Sequence, residues 1–224
     1  MSAQGLAKLA ALLADETRAG FCLALLDGRA WTATELGNAA GVARSTASEH
    51  LSKLVEGGLL TEERQGRHRY VRLADHGTAE LIELMMTRFS PAPTKTLKAA
   101  TTNKAMAAAR TCYDHLAGTL GVGIADAMRD RRLLDTNLSL TKEGAAWFGD
   151  LAVDLRSGSR PVARACLDWT ERRPHLAGAA GAALCATLTT RRWVVRVGTS
   201  RAVRLTDAGG DALFGLLGVR LAPQ

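Results

Sequence analysis

The apolar positions of the first ninety residues recur at helical spacing in four separate blocks. Leu6, Leu9, Leu12 and Leu13 form the first, and Phe21, Cys22, Leu25 and Leu26 continue a second along one face until Asp27-Gly28 stops it. Thr32 with Glu35 three residues later has the capping-box pattern and predicts a short helix carrying Leu36 and Ala40 inward to Gly41. After the turn "GVA", Val42, Ala47, Leu51 and Leu54 predict another helix, ended by Gly57-Gly58. The segments "LLTEERQ" and "RHRYVRL" then alternate as two strands about a Gly66 turn. A last helix over 75–89 carries Leu81, Leu84, Met85 and Phe89.

Helix, glycine-containing turn, helix and basic hairpin together make a winged helix-turn-helix. In that motif the second helix enters the major groove N-terminus first and the hairpin tip meets the backbone. Ser45, Thr46 and Ser48 near the helix start let the chain approach DNA closely and can hydrogen-bond base edges or phosphates. Glu49 repels phosphate unless it accepts from a cytosine amine or pairs with an arginine. Taken singly, hydroxyl residues near a helix start are as readily caps, and a basic hairpin tip is as readily a solvated surface.

Residues 91–224 repeat themselves after a proline-containing linker, Ser90 to Thr96. "HLAGTLGVGIADAMRDRRLL" from His115 and "HLAGAAGAALCATLTTRRWV" from His175 share 7 of 20 positions. Arg-x-Cys-x-Asp leads each copy and Leu-Thr-x-x-Gly precedes a final apolar helix in each. The second copy inserts "WTERRP" before its histidine and holds a clear hairpin, "WVVRVGTSRAVRLT". Each copy reads as helix, short strands and helix, a degenerate winged-helix half. The predicted fold class is therefore mainly α with small β-hairpins. A winged helix-turn-helix domain for DNA binding and dimerisation spans 1–90, and a C-terminal α+β domain built from a degenerate repeat spans 91–224, serving effector sensing or dimer support.

Charge qualifies this picture. The chain of 224 residues has a net charge of +7, which favours an acidic partner. Residues 1–90 hold 10 Lys/Arg against 11 Asp/Glu, whereas residues 91–224 hold 19 against 11. The case for DNA thus rests on local geometry in the first half, not on net charge. No apolar run approaches the ~20 residues of a membrane span, and Lys8, Asp15 and Glu16 interrupt the apolar N-terminus, which reads as an amphipathic helix rather than an export signal. Four widely spaced cysteines, Cys22, Cys112, Cys166 and Cys185, suit a reducing cytoplasm.

"STASEHLSKLVEGGLLTEERQGRHRYVRL" resembles the recognition helix and wing of the ArsR-type winged-helix repressors, and "LAALLADETRAGFCLALL" resembles their first two helices. The resemblance covers residues 5–90, and the long C-terminal extension is similar to that of a subgroup of these regulators. It implies a cytoplasmic homodimer, joined through the first helix and the helix at 75–89. This dimer would repress by binding an inverted repeat of double-stranded DNA and release it on a signal. On this reading the helix over 43–57 and the wing over 61–73 contact DNA through Arg44, Ser45, Thr46, Ser48, Glu49, His50, Lys53, Arg64, Arg67, His68 and Arg69. The family's metal sites are not matched: Gly37 and Ala39 stand at its Cys-x-Cys positions, and Asp75 and His76 are adjacent rather than spaced.

No resident cofactor or metal is assigned. A small molecule or a metal is the candidate effector, at Cys112, Tyr113, His115, Cys166, Trp169 and His175. One alternative is a metal- or thiol-responsive sensor using Cys112, His115, Cys166 and His175, two thiolates and two imidazoles that suit zinc or a softer ion. Asp114 and Asp168 would orient the imidazoles, and Arg110 and Arg164 would lower the thiol pKa values. Against it, cysteine is commonly a small buried hydrophobe, with His and Asp locking helix ends. An organic-effector pocket lined by Tyr113, Trp147, Phe148, Trp169 and Trp193 is a third reading. From other classes, a protein-interaction module or an enzyme stays open, but no phosphate loop, dinucleotide fingerprint, Gly-x-Ser-x-Gly or His-Glu-x-x-His is present, and no enzymatic role is assigned.

Overall fold

The computed structural model describes residues 2–88, 96–153, 155, 160–198 and 200–218. Phe89 and nearly all of the expected linker, residues 90–95, lie outside them. The chain forms two compact units, Met1–Ile82 and Glu83–Gln224.

In the first unit α1 (Ala3–Leu13) and α2 (Glu16–Leu25) precede the two-residue β1 (Trp31–Thr32), α3 (Ala33–Ala40) and α4 (Arg44–Glu56). The antiparallel hairpin β2 (Leu60–Gln65) and β3 (His68–Leu73) follows, then α5 (His76–Met86). The sheet order is β1-β3-β2. The sequence motif Asp15–Arg18 is a double cap. Asp15 accepts from the Arg18 amide at 3.0 Å, while the Arg18 guanidinium donates to the Leu12 and Ala11 carbonyls at the end of α1 at 2.6 and 2.8 Å. The Thr32–Glu35 capping box forms, and Gly41 ends α3 in the left-handed region at φ 69.

Phe21, Leu25, Leu36, Ala47, Leu51, Leu54, Val71 and Leu73 are buried in this unit. Ala40, expected inside, is exposed, because the left-handed turn at Gly41 follows it. Leu84 and Met85 of α5 are exposed as well, while Ile82 and Glu83 of the same helix are buried. α1 has no buried residue at all, and Leu6 is 70% exposed.

The second unit opens with α6 (Leu97–Ala108). Its first repeat contains the hairpin β4 (Arg110–Cys112) and β5 (His115–Ala117), then α7 (Gly118–Asp130), the bridge Leu134–Leu140 and α8 (Lys142–Asp150). The second contains β6 (Arg164–Leu167) and β7 (Pro174–Ala177), then α9 (Gly178–Thr190), the hairpin β8 (Val194–Arg196) and β9 (Val203–Leu205), and α10 (Asp207–Leu217). Each copy is thus hairpin, helix, short ladder, helix. This gives the unit its α+β character and matches the predicted fold class.

The repeats interlock, since α7 packs on β7 and α9 packs on β5. Leu120, Ile124, Met128, Phe148, Leu184, Leu188 and Leu213 belong to one buried cluster. The repeated Leu-Thr-x-x-Gly has a steric cause. Thr141 and Thr206 cap α8 and α10 by accepting from the amides of Gly144 and Gly209 at 2.9 and 3.0 Å. A Cβ at either glycine would lie 2.1 Å from a backbone carbonyl oxygen, of Leu133 or Trp193.

Candidate nucleic-acid interface and a buried cysteine–histidine cluster

α3, the Gly41–Ala43 turn and α4 are held by a tight contact. The Val42 amide donates to the Gly37 carbonyl at 2.9 Å, and a Cβ on Gly37 would meet the Val42 carbonyl oxygen at 2.9 Å. The close approach of α3 to the turn therefore requires a glycine at position 37. α4 buries Ala47, Leu51 and Leu54 against the core. Its opposite face leaves Arg44, Ser45, Thr46, Glu49 and Lys53 exposed, with Ser48 half-buried. The helix begins at Ala43 with no side-chain cap, so its first amides face no side-chain acceptor from the cap residue.

The hairpin turns at Gly66-Arg67, with Gln65 opposite His68 and Arg64 opposite Arg69. Arg64, Arg67 and His68 are exposed at its tip, where the Arg67 Nε lies 3.5 Å from the His68 Nε2.

Two residues expected at the DNA surface are placed otherwise. His50 turns back onto α2. Its Nδ1 lies 3.6 Å from an Asp15 carboxylate oxygen and 3.4 Å from the Arg18 guanidinium, and its ring meets Phe21 edge-on. Residue 50 stands three after Ala47 and four before Leu54, both buried, so its side chain falls at the edge of the core face. Arg69 is tied to Glu62 on the neighbouring strand, donating from Nε at 2.6 Å, and reaches Ser52 of α4 at 3.3 Å. It braces the wing against the helix.

In the second unit the two hairpins bring four of the six expected effector residues together, Cys112, His115, Cys166 and His175. Cys112 pairs across the strands with His115, and Cys166 with His175. All four are buried, and one ligand-capable atom from each lies within 4.8 Å of the others. The two sulfurs are 4.0 Å apart and the imidazole centroids 5.1 Å apart. Asp114 lies 3.1 Å from the His115 Nδ1, and Asp168 lies 3.4 Å from the His175 Nδ1. Tyr113 occupies the β4–β5 turn at φ 58, and Trp169 stacks on the Arg110 guanidinium at 4.6 Å. Of the residues of the expected aromatic pocket, three belong to the core. Phe148 is in the core with Trp147 edge-on to it, and Trp193 packs on the same core beneath Arg191.

The expectation that Arg110 and Arg164 lower the thiol pKa values needs correction. Arg110 is fully buried and committed to Asp168 at 3.0 Å. The Cys112 thiol is raised, first by its hydrogen bond with Cys166 and then by burial. Cys166 is lowered, first by the Cys112 hydrogen bond and then, against burial, by contacts with both imidazoles. Burial opposes the charge on His175, but Asp168 and Cys166 outweigh it and raise this imidazole to about 9. Burial also opposes the charge on Asp168. His175, the Arg110 charge, Thr170 and the Gly118 amide overcome it and hold the carboxyl far below its usual range. Burial pushes Cys22 and Cys185 up to about 11, so both stay protonated.

Sequence reasoning missed Arg201 and Glu83, a buried ion pair at 2.6 Å, with Arg201 also donating to the Thr111 carbonyl beside Cys112 at 3.1 Å. No local pattern links residues so far apart in sequence. Among the described residues, no helix is long and apolar enough to cross a membrane.

A helix-turn-helix domain model matches residues 13–63. The chain is 41% identical over 222 residues to YdfF of Bacillus subtilis, an uncharacterized HTH-type transcriptional regulator, spanning 96% of this chain and 98% of that protein. Among solved structures, it is similar to the homodimeric winged helix-turn-helix DNA-binding domain of Mb0332 from Mycobacterium bovis, with 29% identity, 38% of this chain and 78% of that chain covered, and a TM-score of 0.35. It is similar to the cadmium sensor CMTR of Mycobacterium tuberculosis with 33% identity, 40% and 99% coverage, and a TM-score of 0.32.

Proposed function

The chain belongs to the HTH-type transcriptional regulators, and on that premise we propose that it is a homodimeric repressor, of the ArsR type, that reads an inverted-repeat operator. The observation that carries the reading is that the α4 start and the wing tip are both exposed, while Arg69 and Ser52 tie the wing to α4. Ser45, Thr46 and Ser48 supply short hydrogen-bonding groups to base edges. Arg44, Lys53, Arg64, Arg67 and His68 supply charge to phosphates. The uncapped amides of α4 suit a phosphate at that end. Glu49 accepts from a cytosine amine.

The dimer reading rests on α1 and on the exposed Leu84 and Met85 of α5, apolar surface that a second copy would cover. A duplex-DNA ligand fits a cytoplasmic protein, and no catalytic step is part of this function.

Wing and helix substitutions separate the two kinds of contact. Arg67→Ala is expected to weaken binding to all duplexes and to lower the slope of log affinity against log salt by about 1. Ser45→Ala with Thr46→Ala should instead narrow the gap between operator and random DNA, by about 1–3 kcal/mol, at an unchanged slope. Fluorescence anisotropy across a salt series reads both. An unchanged slope in the wing variant would remove the wing from the interface.

A further inference from the structure

The geometry points to a zinc site in the second unit, in which Cys112, His115, Cys166 and His175 hold one borderline divalent cation as a closed tetrahedral Cys2His2 set. Ideal metal–sulfur bonds of about 2.3 Å at tetrahedral angles put two thiolates about 3.8 Å apart. The Cys112 and Cys166 sulfurs stand at 4.0 Å, and the two imidazoles close the set within 4.8 Å. Each hairpin contributes one directly opposed cysteine and histidine, so a cation would join the two repeats.

The surroundings fit the same ligand. Asp114 hydrogen-bonds the His115 Nδ1 and Asp168 lies 3.4 Å from the His175 Nδ1, so each ring turns its Nδ1 to a carboxylate and leaves Nε2 as its donor. His175 is 1% exposed, and its Nε2 makes no hydrogen bond. Burying such a group without a partner is costly, and a cation relieves the cost. Ala117 and Ala177 pack beside the two sulfurs and add no competing polar group. Two thiolates neutralise a divalent charge in this dry place, and sulfur with imidazole selects zinc over magnesium or calcium. Four protein ligands leave no open position for a substrate, so the site stabilises or senses and does not catalyse.

A Cys112–Cys166 disulfide is the competing outcome. It would need the sulfurs to close from 4.0 Å to about 2.05 Å and would give the buried His175 nothing to bind.

The site stands apart from the DNA-binding reading, because its readout is the metal itself. Full-length protein, freed of metal by chelator under reductant, is titrated with Co2+ and then Zn2+. One cobalt per chain is expected, with tetrahedral ligand-field absorption and a thiolate charge-transfer band, both erased by an equivalent of zinc. Cys112→Ser should weaken that band by removing one thiolate. Asp114→Asn, which keeps all four ligands, should lower metal affinity by about 10–100-fold. Absence of the cobalt spectrum in the wild-type chain, or its persistence in a Cys112→Ser/Cys166→Ser variant, would overturn the site. So would reduced wild-type protein that takes up no metal but closes a Cys112–Cys166 disulfide on mild oxidation.

Discussion

Asp168→Ala is expected to cost the second unit about 3–5 kcal/mol, the loss that follows when one partner of a buried ion pair is removed. Asp168 is fully buried and accepts from the Arg110 guanidinium at 3.0 Å and the Gly118 amide at 2.7 Å. It also accepts from the Thr170 hydroxyl and amide at 2.6 and 2.8 Å and from the Glu171 amide at 3.0 Å. Without it, Arg110 is left as a buried charge over Trp169, and the start of α7 loses an acceptor. Asp168→Asn should fall between, because it keeps an acceptor and loses the charge. Urea unfolding of both variants in the presence of chelator isolates this effect from any metal. A loss under about 1 kcal/mol for the alanine variant would show that Arg110 finds another partner.

Gly37→Val should damage the first unit and its presentation of α4 without touching an expected DNA contact. Its Cβ would meet the Val42 carbonyl oxygen at 2.9 Å and the Ala47 Cβ at 3.4 Å, both on the turn and helix that present α4. Backbone cannot step aside as a flexible side chain can, so α3 and α4 must separate. The expected cost is about 2 kcal/mol of stability, with operator affinity falling more than affinity for random DNA because the angle of α4 changes. Thermal unfolding together with anisotropy on both kinds of DNA checks this. Unchanged stability and unchanged discrimination would mean that the turn relaxes without moving α4.

The first unit was legible because its signals are local. The Thr32–Glu35 box, Gly41, Gly57-Gly58 and the Gly66 turn each act within a few residues, and the order of elements follows from them. What the pattern left open was side-chain direction. His50 lies on the expected helix, but its phase sends it to Asp15 and Phe21, and Arg69 lies on the expected strand but is spent on Glu62.

In the second unit the duplication was visible as shared residues, yet its consequence was not. Two residues separate Cys112 from His115 and eight separate Cys166 from His175, so no common spacing announces a site. Five of the six extra residues sit in the β6–β7 loop and the sixth, Pro174, opens β7, and strand pairing restores the same cysteine–histidine opposition in both copies. Placing "WTERRP" in a hairpin loop was the signal available for finding it. The Arg110–Asp168 and Glu83–Arg201 pairs join distant segments and had no such signal.

The most direct test of the regulator reading is selection of full-length protein against a pool of random duplexes, followed by footprinting and mass measurement of the winning complex. An enriched inverted repeat is expected, with half-sites about one helical turn or a multiple apart, bound by two chains and lost in the Ser45→Ala/Thr46→Ala variant. A pool that never departs from its starting composition, or a single chain on an asymmetric sequence, would contradict it.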